Sequence, residues 1–242
     1  MLHFLFGRKE RKPKKSKKSS SNNSMQSPEP RRPMFAMVCA NNVNRSAAAH
    51  ESLSAAGLRV CSYGAGRQVT FPGKTSSDAR TFKFLTPYAD MHSILEKEDA
   101  ALFSGNGVLQ ILERDMPIKK APERWQSLSN KQLLDIDVVV CLDYVMFLTV
   151  LEGGLADLSW LCVFADIQMR IRLSFKTKQL HIICLDTEDT PEEALTGGAR
   201  VLDLCRELNV PSDELTEELV KTVVEKFEKE HERQMFYLGL HM

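Results

Sequence analysis

No stretch of this 242-residue chain approaches the roughly 18 consecutive apolar residues of a membrane-spanning helix. The apolar start, Leu2 to Phe6, runs straight into charge and is too short for the core of a secretory signal, so neither leader nor membrane contact is expected. None of the six cysteines (Cys39, Cys61, Cys141, Cys162, Cys184, Cys205) stands in a C-x-x-C pair, which argues against structural zinc. In an intracellular chain they are expected to be reduced thiols. Gly64-Ala65-Gly66 lacks the further glycine of a dinucleotide fingerprint and reads as a turn. No segment repeats another, and no metal or cofactor is expected.

Net charge is missing as well, since 32 Lys and Arg balance 32 Asp and Glu. That neutrality hides an asymmetry. Residues 1–33 carry ten Lys or Arg against Glu10 and Glu29, a charge of +8, which leaves −8 on the remainder. The tail has little apolar content after Phe6 and several serines, so it cannot bury enough surface to offset its ordering entropy. Disorder is expected over 1–33. Its Lys9–Lys18 run suits a nuclear-import signal or an anionic partner, and equally a plain solvated tail. Direct contact with nucleic acid is expected only through this tail, if at all.

From Pro33 onward, short apolar runs alternate with helical stretches. Met34–Val38, Leu58–Tyr63, Asp137–Leu142 and Leu180–Leu185 read as strands, the last two as continuous apolar runs typical of buried parallel strands. Strands separated by helices imply an α/β domain over 34–242, a parallel sheet with helices on both faces. Between Phe71 and Gln132 the chain reads as helical and irregular. Thr190, Pro191 and Glu193 occupy the N-cap, N1 and N3 positions of a capping box. A final helix is expected from about Asp213 to Glu232, with Leu215, Leu219, Val223 and Phe227 on one face. His181-x-x-Cys184 alternates along a strand and reads as packing rather than metal ligation.

The chemistry gathers at Cys39-Ala40-Asn41-Asn42-Val43-Asn44-Arg45, followed by Ser46. The cysteine ends an apolar strand, a polar loop follows, and the arginine begins a helix. Loop N–H groups can converge on an anion at the positive end of that helix. A helix N-terminus also favours a cysteine thiolate. Arginine offers a planar fork to two phosphate oxygens. A cysteine and an arginine at this spacing also occur by chance. The strand before, the helix after, the Ser46 hydroxyl and a downstream carboxylate favour a cysteine-based phosphatase.

Attack of a thiolate on a phosphate monoester expels an alkoxide or phenoxide, which a nearby carboxylic acid can protonate. Ligands of such sheets bind beyond the carboxyl ends of strands, where Cys39, Asp186 and Asp189 all lie. Asp189 is preferred as the acid because it adjoins the helix cap, farther beyond the strand end. Both carboxylates could instead simply favour the N-terminus of the following helix.

The pattern Cys39-x5-Arg45-Ser46 is similar to that of the low-molecular-weight tyrosine phosphatases. The rest of the chain more closely resembles their relatives, the Ssu-type RNA polymerase II C-terminal-domain serine phosphatases. The matching segments are Asn42–Ser46 with Ala49-His50, Ser62–Gly66 with Pro72-Gly73, Asn106-Gly107 with Leu109, Pro122–Gln126, and Asp189-x-x-Glu192-Glu193-Ala194. This resemblance implies a three-layer α/β/α fold like that of the low-molecular-weight phosphatases. It implies hydrolysis of phosphoserine, at the fifth position of the polymerase heptad, with the next proline in cis. It further implies a nuclear location, a part in mRNA 3′-end processing, and a processing scaffold as partner. By motif match Cys39 is the nucleophile, Arg45 the phosphate clamp, Ser46 the hydroxyl assisting the thiolate, and Asp189 the acid. Asn42, Asn44, Pro72, Asn106 and Leu109 are implied to bind substrate.

The chain also departs from that pattern. Val43 replaces a polar loop residue, Thr190-Pro191 an Asn-His pair, and Thr70 a lysine near the substrate. Extra residues near Gly153 to Arg172, including Trp160 and Phe164, read as an insertion. Two other readings remain. One is a phosphotyrosine phosphatase or arsenate reductase of the same fold, against which Asn44 stands where a second cysteine is usual. The other is a catalytically weak interaction subunit, against which the intact Cys39, Arg45 and Asp189 stand.

Overall fold

The computed structural model describes residues 30–151 and 178–241. The expectations for the tail through residue 29, and for the insertion with Trp160, Cys162 and Phe164, lie outside the described residues. The strands are β1 (Phe35–Cys39), β2 (Val60–Gly64), β3 (Val69–Phe71), β4 (Arg80–Phe82), β5 (Val138–Cys141), β6 (Gln179–Cys184) and β7 (Phe236–His241). The helices are α1 (Arg45–Ala55), α2 (Tyr88–Gly105), α3 (Val108–Asp115), α4 (Asn130–Asp135), α5 (Tyr144–Leu151), α6 (Pro191–Glu207) and α7 (Glu217–His231).

The main sheet has the order β2-β1-β5-β6-β7. Successive side chains of a strand point to opposite faces. Phe35, Met37, Val138, Val140 and Ile183 therefore face α1, α6 and α7, while Ala36, Val38, Val139, Leu180 and Ile182 face the other way. Both faces are covered, which is why the central strands read as continuous apolar runs. The result is the expected three-layer α/β/α arrangement.

One strand departs from the expected parallel sheet. β7 pairs antiparallel with β6, from Gln179↔His241 to Cys184↔Phe236. It is an edge strand with Phe236 and Leu238 exposed, although Met235 to Leu240 form a short apolar run like those of the other strands. The stretch expected to be helical and irregular also contains more order than that. β3 and β4 form an antiparallel hairpin, pinned by an edge-to-face contact of Phe71 and Phe82 at 5.9 Å. Strands of three residues are too short to show a period.

The boundary of the body also shifts. Arg31, assigned with the tail, donates to the carboxylates of Asp135 and Asp137, and its carbonyl accepts from the Ser212 N–H. Arg32 donates to the Asn209 carbonyl. These contacts close the base of the sheet.

Helix α6 begins as expected at Thr190, whose hydroxyl accepts from the Glu193 N–H. The reciprocal half of the capping box is missing, because the Glu193 carboxylate pairs with Arg200 and Arg233 instead. Small residues let α6 lie close to α1. A Cβ at Gly198 would stand 3.2 Å from the backbone of Ala48. The approach brings the start of α6, and with it Asp189, over the start of α1.

Candidate active site

The loop between β1 and α1 has the shape of an anion cradle. Asn42 and Asn44 adopt positive φ of 53° and 56°. Asparagine visits positive φ more readily than most side chains, and Asn44, with ψ −97°, lies outside the left-handed helical well. The turn after β2 presses against the loop, with the Ala65 N–H donating to the Cys39 carbonyl and Gly66 N–H to that of Ala40. A Cβ at Gly66 would stand 2.8 Å from the Ala40 oxygen, so glycine is required there.

Cys39 is buried at the loop's start, with Sγ 3.0 Å from Ser46 Oγ. The direction of that hydrogen bond follows from the groups around it. Asn42 is fully buried, and its Oδ1 accepts from Lys119 Nζ (3.0 Å) and the Glu123 N–H (2.9 Å). Its Nδ2 must therefore donate, and it does so to Ser46 Oγ and Ser62 Oγ, both at 3.1 Å. This leaves the Ser46 proton for the Cys39 sulfur and the Ser62 proton for His50 Nδ1, 2.9 Å away. Burial, and then the positive charge of Lys119, lower the pKa of His50, which suits a neutral ring accepting from Ser62. Burial likewise lowers the pKa of Lys119, opposed by its pairing with Glu123.

Arg45 is also buried. Its Nη1 donates to the carbonyls of Leu142 (3.2 Å) and Thr187 (3.0 Å), and its Nη2 pairs with Asp143 (3.1 Å) and Asp189 (3.2 Å). Among the described residues no group accepts from its buried Nε. An oxyanion would supply that acceptor. Asp189 is about half exposed and also accepts from Asn44 Nδ2 at 2.9 Å. Asp186 is turned elsewhere, accepting from the Tyr144 N–H at the start of α5. Of the two candidate acids, the fold brings Asp189 to Arg45.

A cleft opens from this point, walled by Thr70, Pro72, Asn106, Val108 and Ile111, with Val43, Asn44 and Asp189 at its inner end. Asn106 Nδ2 donates to the Pro72 carbonyl at 3.3 Å. Two residues implied to bind substrate are placed differently. Asn42 has no exposure, and its side-chain amide is spent on protein groups, so that side chain shapes the loop. Leu109 is buried with Phe71 and Leu112 in the core behind the cleft. On α3, Val108 and Ile111 are three apart and share the cleft side, which turns Leu109 inward.

Asp143, Lys119 and the Arg114–Asp115 pair were not anticipated. Asp143 follows the end of β5 as Asp186 follows β6, so the same strand-end argument would have found it. Lys119 and Asp115 carry no local signal. Asp115 is fully buried, accepts from Arg114 and the Asn44 N–H, and burial pushes its carboxyl up to about 6. Among the described residues no three His, Cys, Asp or Glu side chains converge as metal ligands, and no helix is long and apolar enough to cross a membrane.

Comparison with known proteins agrees with this geometry. The family described as Ssu72-like protein matches residues 33–241. The fission-yeast (Schizosaccharomyces pombe) RNA polymerase II C-terminal domain phosphatase ssu72 is 31% identical over 206 residues, covering 85% of this chain and 94% of its own. The Drosophila melanogaster crystal structure of the serine phosphatase of the RNA polymerase II CTD superposes with a TM-score of 0.69 at 27% identity, covering 86% of this chain and 99% of that one. A D. melanogaster Ssu72–Symplekin complex, bound to a cis peptidomimetic of the CTD phosphorylated on the fifth-position serine, gives 0.68 at 25% identity, covering 86% and 97%. The chain belongs to the Ssu72-like family.

Proposed function

We propose that this chain is a cysteine-dependent protein phosphatase that removes phosphate from phosphoserine in the heptad repeats of the RNA polymerase II C-terminal domain. It acts in the nucleus, alongside a 3′-end processing scaffold. The observation that carries the reading is the meeting of Cys39, Ser46, Arg45 and Asp189 around one loop in an Ssu72-like chain. The fission-yeast relative is named for this activity, and the fly relative is seen with Symplekin and a cis mimic of the CTD phosphoserine peptide.

Each group has a role that its contacts support. A phosphate dianion approaching the loop meets Arg45 Nε and, beside it, Nη2. Taking up Nη2 requires one carboxylate to yield, and the more exposed Asp189 gives way more easily than Asp143. Cys39 Sγ attacks phosphorus, the bond to the serine oxygen breaks, and protonated Asp189 gives its proton to that oxygen. Asp189, now ionised, takes a proton from the water that attacks the phosphocysteine. Inorganic phosphate leaves, and the Ser46 hydroxyl stabilises the returning thiolate. Asn42 keeps that hydroxyl aimed at sulfur.

The test is a side-by-side assay on phosphoserine-heptad and phosphotyrosine peptides. Faster turnover of phosphoserine is expected. Preference for phosphotyrosine would move the protein to the tyrosine-phosphatase reading, and no turnover of either would leave an interaction subunit.

A further inference from the structure

Asp115 is a carboxylate in a costly place. It has no exposure, and it ends α3, where the helix dipole disfavours an anion. What it holds explains the placement. Asp115 Oδ2 accepts from the Asn44 N–H at 3.3 Å, and Oδ1 accepts from Arg114 Nε (2.9 Å) and Nη2 (2.7 Å). Arg114 Nη2 also donates to the Asn44 carbonyl at 3.0 Å, and Nη1 to Asn44 Oδ1 at 3.5 Å. The N–H, the carbonyl and the side-chain oxygen of one loop residue are thus all gripped by the end of α3. With Oδ1 turned to Arg114, the amide of Asn44 presents Nδ2 to Asp189 Oδ1 (2.9 Å) and the Thr190 carbonyl (3.2 Å).

We propose that Arg114 and Asp115 are positioning residues for the acid: they fix the Asn44 amide, and that amide holds Asp189 at the mouth of the phosphate loop. The inference rests on the reading of Asp189 as the general acid. It assigns a task to a buried ion pair that the chemistry itself does not use. It also links two parts of the site, because α3 supplies Val108 and Ile111 to the cleft wall and, through its last turn, sets the acid.

The experiment compares a phosphoserine peptide, whose alkoxide leaving group needs a proton, with para-nitrophenyl phosphate, whose leaving group does not. The full chain is assayed as Asp115→Ala, Asp189→Asn and the double variant, with kcat and KM separated. Asp115→Ala should lower kcat on the peptide at least tenfold more than on the aryl phosphate, with KM little changed. In the Asp189→Asn background the added difference should vanish. Asp115→Asn keeps an acceptor for the Asn44 N–H, should show a smaller version of the same split, and carries the test if the alanine variant does not fold. Equal losses on both substrates, or a difference that persists without Asp189, overturn the proposal. If Asp189→Asn itself fails to distinguish the leaving groups, the acid assignment falls, and this inference with it. A split in Asp189→Asn but none in the Asp115 variants rejects the positioning role alone.

Discussion

The loop from Cys39 to Arg45 and the wall opposite it line one cleft but are anchored in different ways. The loop grows out of β1, whose every residue is buried, and its polar groups are spent on protein partners: Asn42 on Lys119 and two serines, Arg45 on two carbonyls and two carboxylates. The wall has its own apolar core, built on Tyr88, Met91, Leu95, Phe103 and Leu112. The loop contributes Val43 to that core, and side-chain hydrogen bonds complete the seam. Tyr88 Oη donates to the Asn42 carbonyl at 2.6 Å, and the Asn41 amide pairs with both backbone groups of Thr70. The loop is thus rooted in the body, while the wall is built on a second core into which the loop sends one side chain. Damage to the loop should affect every phosphoester alike. Damage to the wall should be felt by peptides.

The largest effect expected on the loop side is that of Cys39→Ser, which removes the proposed nucleophile. Turnover of any phosphoester should fall by roughly 10⁴-fold or more, with the thermal midpoint little changed. Retained activity would take Cys39 out of the mechanism. Next comes Asp189→Asn, expected to slow phosphoserine hydrolysis by about 10²–10⁴-fold and activated aryl phosphates much less. A larger effect from Asp186→Asn, measured the same way, would move the acid to the carboxylate that the structure turns toward α5.

The seam between loop and wall can be probed through pH. The Asp115 carboxyl holds its proton up to about 6 in the folded state, against an ordinary value of 3.8. Between those values the folded state binds more protons than the unfolded one, so this group's contribution to stability falls as pH rises through the window and is level above it. Two pH units correspond to at most about 3 kcal/mol. Denaturant titrations at pH 4 and pH 7 should therefore show Asp115→Asn gaining on the parent chain as pH rises. An unchanged difference would mean that burial does not raise the Asp115 carboxyl above its ordinary value.

The smallest effect belongs to the wall. Asn106→Ala removes the hydrogen bond to the Pro72 carbonyl and should raise KM for a phosphoserine peptide by about 2–10-fold, with less change for an aryl phosphate. Equal shifts on both substrates would erase the distinction between loop and wall. The same wall bears on proline geometry. If only the cis form is taken, hydrolysis of a phosphoserine-proline peptide at high enzyme should show a burst of roughly 10–30% and then a slow phase that a prolyl isomerase accelerates. Single-phase hydrolysis would count against cis selection.

Several parts of this architecture were legible before any coordinates. β1, β5 and β6 announce themselves because strands buried on both faces must be apolar throughout. The start of α6 is written in Thr190 and Pro191 because capping is a local matter. The β3–β4 hairpin is too short to show a period, and the apolar run at Met235–Leu240 does not by itself reveal that β7 pairs antiparallel at the sheet edge. The site divides in the same way. Cys39, Arg45 and Ser46 lie within one strand–loop–helix and could be read together, and Asp189 could be placed at a strand end.

The residues alone pointed to the layered sheet and to the polar loop from Cys39 to Arg45 at its carboxyl edge. These depend on short-range pattern and on chemistry intrinsic to each residue. The tertiary structure decided the rest: that Asp189 and not Asp186 reaches Arg45, that Asn42 is buried while Val108 and Ile111 line the cleft in place of Leu109, and that Asp115 grips Asn44 across 71 positions of sequence. Such choices depend on how helices dock on the sheet and on which way a side chain turns once docked. A chain read one window at a time does not contain that information, because the partners that fix it are brought together only when distant segments pack.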